Sequence, residues 1–337
     1  MRFAPYHRLD GAPNVIVDGA PTDGTVLSIS HWPNLPSPPG LEDDTSALMA
    51  FRYLRRPDLH VDAELVSNNH FDQDGLVSTF ALVEPEKALA REEVLVDLAA
   101  AGDFATYRHR QAARASMVVS AFASGRGGAA ADGPLADVPE DDPEMDALLY
   151  RELLGRLPEI VDHVERYEAL WADEDATLEA SEQLLARGGA IEEVPALELA
   201  IVTVDATAPD GGGHRFGGDW APGLHPMAVH NATDRVNVAT IRGRRYDVEL
   251  RYEGWVQYRS RTVRPRRDLG LLAARLQDEE ASGGTWLASP VSAIVPRLRL
   301  DGADASSIAP DRFRALLEQH LAGAPPAWDP FTPPAGA

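Results

Sequence analysis

The chain has 337 residues, 44% hydrophobic and 25% charged, a globular composition long enough for two domains, and no run of eighteen apolar residues that would span a membrane. It has no cysteine, which excludes disulfides, thiolate zinc sites, iron–sulfur clusters and a cysteine nucleophile, so any metal must be held by His, Asp or Glu, a donor set that favours Mn or Mg. The net charge of −22 lies in the first 200 residues (37 acidic against 15 basic), whereas the rest is neutral, with 16 of each. That field repels long nucleic acid. With no signal peptide or anchor legible behind Arg2 and Arg8, the expected location is cytoplasmic and off the membrane.

In chain order, residues 14–17 and 25–29 read as short strands, and 41–54 as a helix with Asp43 or Asp44 as its cap. A strand at 63–66, a helix from about Leu76, a strand at 94–97 and a helix over about 103–122 continue an alternation that predicts an α/β fold, a mostly parallel sheet flanked by helices. Active residues are then expected at strand C-terminal ends. Residues 124–143, rich in Gly, Ala, Pro and Asp, read as a flexible loop. Two helices, 144–157 and 159–171, are expected to meet at Pro158, with a third ending at Arg187.

From Leu197 the pattern becomes strands at 197–204, 236–241, 246–252 and 255–258 with tight turns, then helices at 268–280 and 310–321. The expected organisation is an α/β metal-binding domain (1–123 and 144–190), a smaller C-terminal α+β domain that grips substrate (191–323) and a disordered tail (324–337). Between Arg242 and Arg267 stand nine arginines against three acidic residues. Guanidinium forks suit phosphate or carboxylate oxygens, although pairing with acidic neighbours would also explain the strip.

The string that carries chemistry runs Glu64-Leu-Val-Ser-Asn-Asn-His70-Phe-Asp72-Gln-Asp74-Gly75-Leu-Val-Ser78-Thr79. A strand delivers His70, Asp72 and Asp74 at alternate positions, which places the three side chains on one side, and Gly75 lets the chain turn into a helix. Two carboxylates held that close repel unless a cation lies between them. Capping of the following helix is the plainer role for such residues. An EF-hand starting at Asp72 is excluded, because Leu76 and Val77 occupy positions that need a ligand and a glycine. A haloacid-dehalogenase nucleophile at Asp72 is disfavoured by the polar residues 67–70 before it.

The string resembles motif I of the DHH phosphoesterase superfamily, His-x-Asp-x-Asp-Gly followed by a serine, met here by His70, Asp72, Asp74, Gly75 and Ser78. The resemblance covers about fifteen residues, and the Asp-His-His motif that names the superfamily is absent. It implies a catalytic set of His70, Asp72 and Asp74 on a pair of Mn or Mg ions, with Asp97, at the end of an expected strand, as bridging ligand. His31 and Asp18, each ending a strand, are the further metal candidates. Ser78, Arg215, Gly283 and Gly284 are the implied substrate contacts. The expected activity is two-metal hydrolysis of a small phosphate ester, nucleotide or very short oligonucleotide. The alternative is a non-catalytic metal- or anion-binding protein on the same fold.

Overall fold

The computed structural model describes residues 1–124, 143–187, 191–205 and 224–332. The chain forms two units, Met1–Asp175 with Tyr258–Ser260, and Ala176–Gln257 with Arg261–Ala337. Together they give an α/β architecture with one parallel and one mixed sheet. The boundary therefore falls at Asp175, inside a helix, and three residues from the C-terminal half belong to the first unit. Residues 125–142 of the expected flexible loop lie outside the described residues.

In the first unit four short strands, β1 (Arg2–Phe3), β2 (Asn14–Val17), β3 (Thr25–Ile29) and β4 (Leu65–Ser67), form a wholly parallel sheet in the order β1-β4-β2-β3. Val15, Ile16, Val17 and Val66 are fully buried, as expected where both faces of a parallel sheet are covered. The return from β2 to β3 takes only residues 18–24 and contains no helix. Asp18 enters it at φ 46°, in the left-handed region.

The helices of this unit are α1 (Ser46–Leu54), α2 (Gln73–Val83), α3 (Pro85–Leu89), α4 (Glu92–Asp103), α5 (Arg110–Ala123) and α6 (Pro143–Asp162). Helix α7 (Glu168–Ala186) crosses the boundary between the units. Helix α1 starts later than expected, and its cap is Thr45, whose hydroxyl accepts from Leu48 N, rather than Asp43 or Asp44. The strand expected at 94–97 is the middle of α4. An apolar run such as Val94-Leu-Val satisfies either period, and here flanking alanines extend it as a helix. The helix expected from Asp103 starts only at Arg110. Pro158 lies inside α6, a single helix at the cost of one ladder bond, instead of separating two.

The second unit holds a six-stranded sheet in the order β10-β11-β8-β7-β6-β5, from β5 (Ile191–Val194), β6 (Leu199–Val204), β7 (Asn237–Arg242), β8 (Arg245–Leu250), β10 (Thr285–Ala288) and β11 (Arg297–Asp301). Only β6 and β7 pair parallel. Helices α9 (Leu269–Glu279) and α10 (Pro310–Gly323) supply Leu272, Leu276, Phe313, Leu316 and Leu317 to a core with Tyr246, Val248, Trp286 and Leu298. A short helix α8 (Pro226–Ala232) adds Val229 to a second cluster with Val202, Val204 and Val238. The strand expected at 255–258 is a turn following the helical turn Tyr252–Gly254. The tail is ordered further than expected: β12 (Pro326–Trp328) pairs antiparallel with β9 (Arg266–Arg267). Among the described residues, no helix is long and apolar enough to cross a membrane.

Candidate metal centre

Four carboxylates and two imidazoles converge in the first unit. Asp18 follows β2, His31 follows β3, His70 and Asp72 lie between β4 and α2, Asp74 is in the first turn of α2, and Asp103 is the last residue of α4. Asp18, Asp72, Asp74 and Asp103 are between 0 and 6% exposed. Isolated buried carboxylates are costly, so each must be held by specific partners.

The backbone supplies many of them. Asp74 Oδ2 accepts from Ser46 N and Oδ1 from Ala47 N, both at 2.7 Å, so the carboxylate closes the N-terminus of α1 from outside that helix. Asp72 caps its own helix, with Oδ1 accepting from Gly75 N at 2.7 Å, while Oδ2 lies 3.0 Å from His70 Nε2. Capping and a role in the cluster thus coexist, one oxygen serving each. The Ser46 hydroxyl donates to Asp18 Oδ1 at 2.9 Å, and Asp18 Oδ2 accepts no hydrogen bond among the described residues. Gly19 is needed here because a Cβ would meet Asn69 Oδ1 at 2.1 Å.

His31 fixes the tautomer. Its Nδ1 lies 2.5 Å from the Asp44 carbonyl oxygen, which can only accept, so Nδ1 carries the proton. Nε2 then faces Asp18 Oδ1 at 3.4 Å, Asp103 Oδ2 at 3.6 Å and Asp74 Oδ2 at 3.8 Å. An imidazole anchored through one nitrogen with the other turned to carboxylate oxygens is the usual arrangement of a metal-ligating histidine.

The electrostatics of the cluster are those of crowded like charges. Burial, then the charges of Asp72 and Asp74, push Asp18 well above the usual carboxylate range. Burial, followed by Asp74, Asp72 and Asp18, does the same to Asp103. Asp74 is raised by burial, with His31 opposing. Asp103 also stands at the negative end of the α4 dipole, an unfavourable place for an anion. Burial and the charges of Asp72 and Asp18 keep the Tyr150 phenol protonated, and it donates to the His70 carbonyl at 3.0 Å.

Two triads have donor atoms close enough to share an ion, Asp18–His70–Asp72 and Asp18–His31–Asp74. Asp18 is common to both. Its Oδ2 lies 3.5 Å from His70 Nε2 while its Oδ1 faces His31, so each oxygen addresses one triad. The His70 side chain is 32% exposed and lies tilted against Trp32, with ring centroids 5.3 Å apart.

The candidates read from the sequence divide accordingly. His70, Asp72, Asp74, His31 and Asp18 come together. Asp97 does not join them. It lies six residues before Asp103 on α4, about 9 Å of helix rise, and accepts from the amides of Arg108 and His109 at 2.7 to 3.0 Å. It ends no strand, and its oxygens organise the entry to α5. Asp103 is the carboxylate that sequence reasoning missed. Ser78, the expected substrate contact, is fully buried and donates to the Asp74 carbonyl, so its hydroxyl holds α2. Gly283, at φ 87°, and Gly284 form the turn before β10 in the second unit, where a Cβ on Gly284 would meet Ala303 and Leu300 at 2.9 Å. Close packing within that unit explains Gly284. Arg215 and the glycine-rich stretch around it lie outside the described residues.

No curated protein and no solved structure matches the chain significantly. The sequence profile of DUF6687, a family of unknown function, matches residues 1–332, and the chain belongs to that family.

Proposed function

We propose that the protein is a metal-dependent phosphoesterase that hydrolyses a small phosphate ester, a nucleotide or a very short oligonucleotide. The observation that carries the reading is Asp18, a buried carboxylate shared by two His–Asp triads, one at each oxygen. It takes the bridging place that the resemblance to the DHH superfamily assigns to a strand-end aspartate, but from a strand before motif I. Mn or Mg suits a centre of imidazoles and carboxylates without sulfur. Two such ions, when bound, supply an activated water and neutralise charge on the phosphoryl group.

The chain's own groups do the positioning. His31 presents Nε2 because Asp44 holds its other nitrogen, Asp74 is fixed by two amides of α1, and Tyr150 holds the His70 backbone. The exposed edge of His70 marks the side from which substrate enters. Hydrolysis of a panel of nucleotides and phosphodiesters with Mn or Mg tests the reading. Activity that disappears in Asp18→Asn and Asp72→Asn supports it; no hydrolysis of any substrate, or hydrolysis indifferent to both changes, overturns it.

A second reading rests on Asp74, both of whose oxygens already accept amide hydrogen bonds. Such a ligand suits a binding centre that holds one ion for assembly or regulation. Metal stoichiometry separates the two, because one ion per chain without hydrolysis means binding and two ions with hydrolysis mean catalysis.

A further inference from the structure

Three residues from far along the chain complete the first unit. Tyr258, Arg259 and Ser260 belong to it, although the segments on either side of them belong to the second unit. Arg259 and Ser260 are exposed, so burial of their own side chains does not explain where they lie. What they touch is Asp44, the residue before the Thr45 cap of α1.

Asp44 is 9% exposed, and its carboxylate accepts hydrogen bonds from that segment at both oxygens. Oδ1 accepts from Arg259 N at 2.7 Å and from Ser260 N at 2.8 Å, and Oδ2 accepts from the Ser260 hydroxyl. Hydrogen bonds to a carboxylate are of the strong, charge-assisted kind. Helix α1 does not need them, since its first ladder bond, from Met49 N to Thr45 O, begins one residue after Asp44.

The backbone of Asp44 bears on the acidic cluster. Its carbonyl oxygen lies 2.5 Å from His31 Nδ1, and so decides which nitrogen is left to face Asp18, Asp74 and Asp103. That carbonyl stands outside the ladder of α1. Its place is set by a local bond from Asp44 N to Asp43 Oδ1 at 2.9 Å and by the grip of residues 259 and 260 on the carboxylate. A second contact runs the same way: the Tyr258 ring meets Phe104 edge-on, with centroids 5.4 Å apart. Phe104 follows Asp103 in the chain, and its own ring stands edge-on to His31 at 6.4 Å.

We propose that Ser260 is a positioning residue of the metal centre, acting through the Asp44 carboxylate on the carbonyl that orients His31. This role rests on the metal-binding reading of the cluster. Groups that hold a ligating histidine by its second nitrogen tune metal affinity without touching the ion. Here the chain extends that support by one more residue, drawn from a segment more than two hundred positions away in sequence.

The test is calorimetric titration of the intact, metal-free protein with manganese chloride. Affinity for Mn should fall about tenfold in Ser260→Ala and in Asp44→Asn, and stay at the wild-type value in Ser260→Thr, which keeps the hydroxyl. Two-bond nitrogen–proton spectra of metal-free protein carrying isotope-labelled histidine read the positioning directly, with His31→Gln assigning the signal. The His31 ring should hold its proton on Nδ1 in the wild type and in Ser260→Thr, and become a mixture of tautomers in Ser260→Ala. Circular dichroism establishes that each variant is folded, and Asp44→Asn keeps the test open if Ser260→Ala is not. Wild-type Mn affinity and an unchanged His31 tautomer in the folded variants overturn the proposal and leave the metal centre standing, even where the melting temperature falls. Failure of the wild type to bind Mn overturns the metal centre and the role of Ser260 with it.

Discussion

The acidic cluster of the first unit and the buried Arg251 and Arg266 of the second are built alike with opposite signs. In each, backbone groups hold a buried charge in place: the amides of Ser46 and Ala47 hold Asp74, and the carbonyls of Arg251, Ala293 and Ile294 hold Arg266. In each, some side-chain atoms keep unused hydrogen-bonding capacity, Asp18 Oδ2 in one and Arg266 Nε in the other. In both places the charge is stabilised only in part by the fold's own hydrogen bonds. The two differ in assembly, since the cluster gathers residues from 18 to 103 whereas the arginines come from the short stretch 251–267.

The largest expected effect falls on the shared carboxylate. Asp18→Asn should lower hydrolysis by about 10³-fold, several kcal/mol of lost transition-state stabilisation, measured as kcat/KM in saturating Mn. A fall no greater than that of a surface Asp→Asn control would break the idea that Asp18 serves both triads. Next comes the ion itself: Mn at a hundred times its Kd should stabilise the protein by about 2.7 kcal/mol, reversed by EDTA. A melting temperature indifferent to both would remove the cation from the comparison.

Asp103 and Asp97 sharpen it within one helix. Asp103→Asn should weaken metal affinity by about 10- to 100-fold. Asp97→Asn should leave that affinity unchanged while costing about 1–2 kcal/mol of stability, because amides of Arg108 and His109 lose a charged acceptor. Equal metal affinities for the two variants would return Asp97 to contention.

Glu280 gives the smallest and most local contrast, a carboxylate satisfied from within. Burial raises its pKa, but hydrogen bonds from the Ser306 and Ser307 hydroxyls and the Ser307 and Ser282 amides outweigh this and hold it well below the usual range. A depressed folded pKa contributes stability that is present above the ordinary glutamate value of 4.5 and lost as pH falls below it. Glu280→Gln should therefore cost about 1–2 kcal/mol at pH 7 and progressively less below pH 4.5, measured by urea denaturation. A cost independent of pH would show that packing rather than charge is at stake.

Much of the cluster was legible because its residues stand in one short string and because Asp18 and His31 each follow an apolar strand. Alternate spacing on a strand is not what gathers them: β4 stops at Ser67, Asp72 caps α2 and Asp74 lies within it, so a turn into a helix points these side chains inward. Asp103 was hidden for a physical reason. Glu92–Asp103 carries an apolar run compatible with a strand, and that reading put a strand end at Asp97 and a helix start where α4 in fact stops. Once Val94 to Asp97 is helical, the carboxylate that reaches the cluster is six residues on, at a position no local pattern marks. The strip of nine arginines was visible as composition. Which of them turn inward depends on Gly254, on the turn at 252–254 and on carbonyls near residue 293, none of which a single-sequence pattern links. The strand Pro326–Trp328 was missed because prolines usually signal irregular structure, and here Pro326 lies in a two-stranded edge pair with Arg266–Arg267.

Asp18 holds its backbone at φ 46°, a conformation that suits glycine better than aspartate. The chain thus spends conformational energy on keeping a carboxylate where it is both strained and crowded by like charges. In metal-free protein, Asp18→Gly should melt higher than the wild type while being unable to join the two triads. Selection for thermal stability alone would therefore act against aspartate at this position.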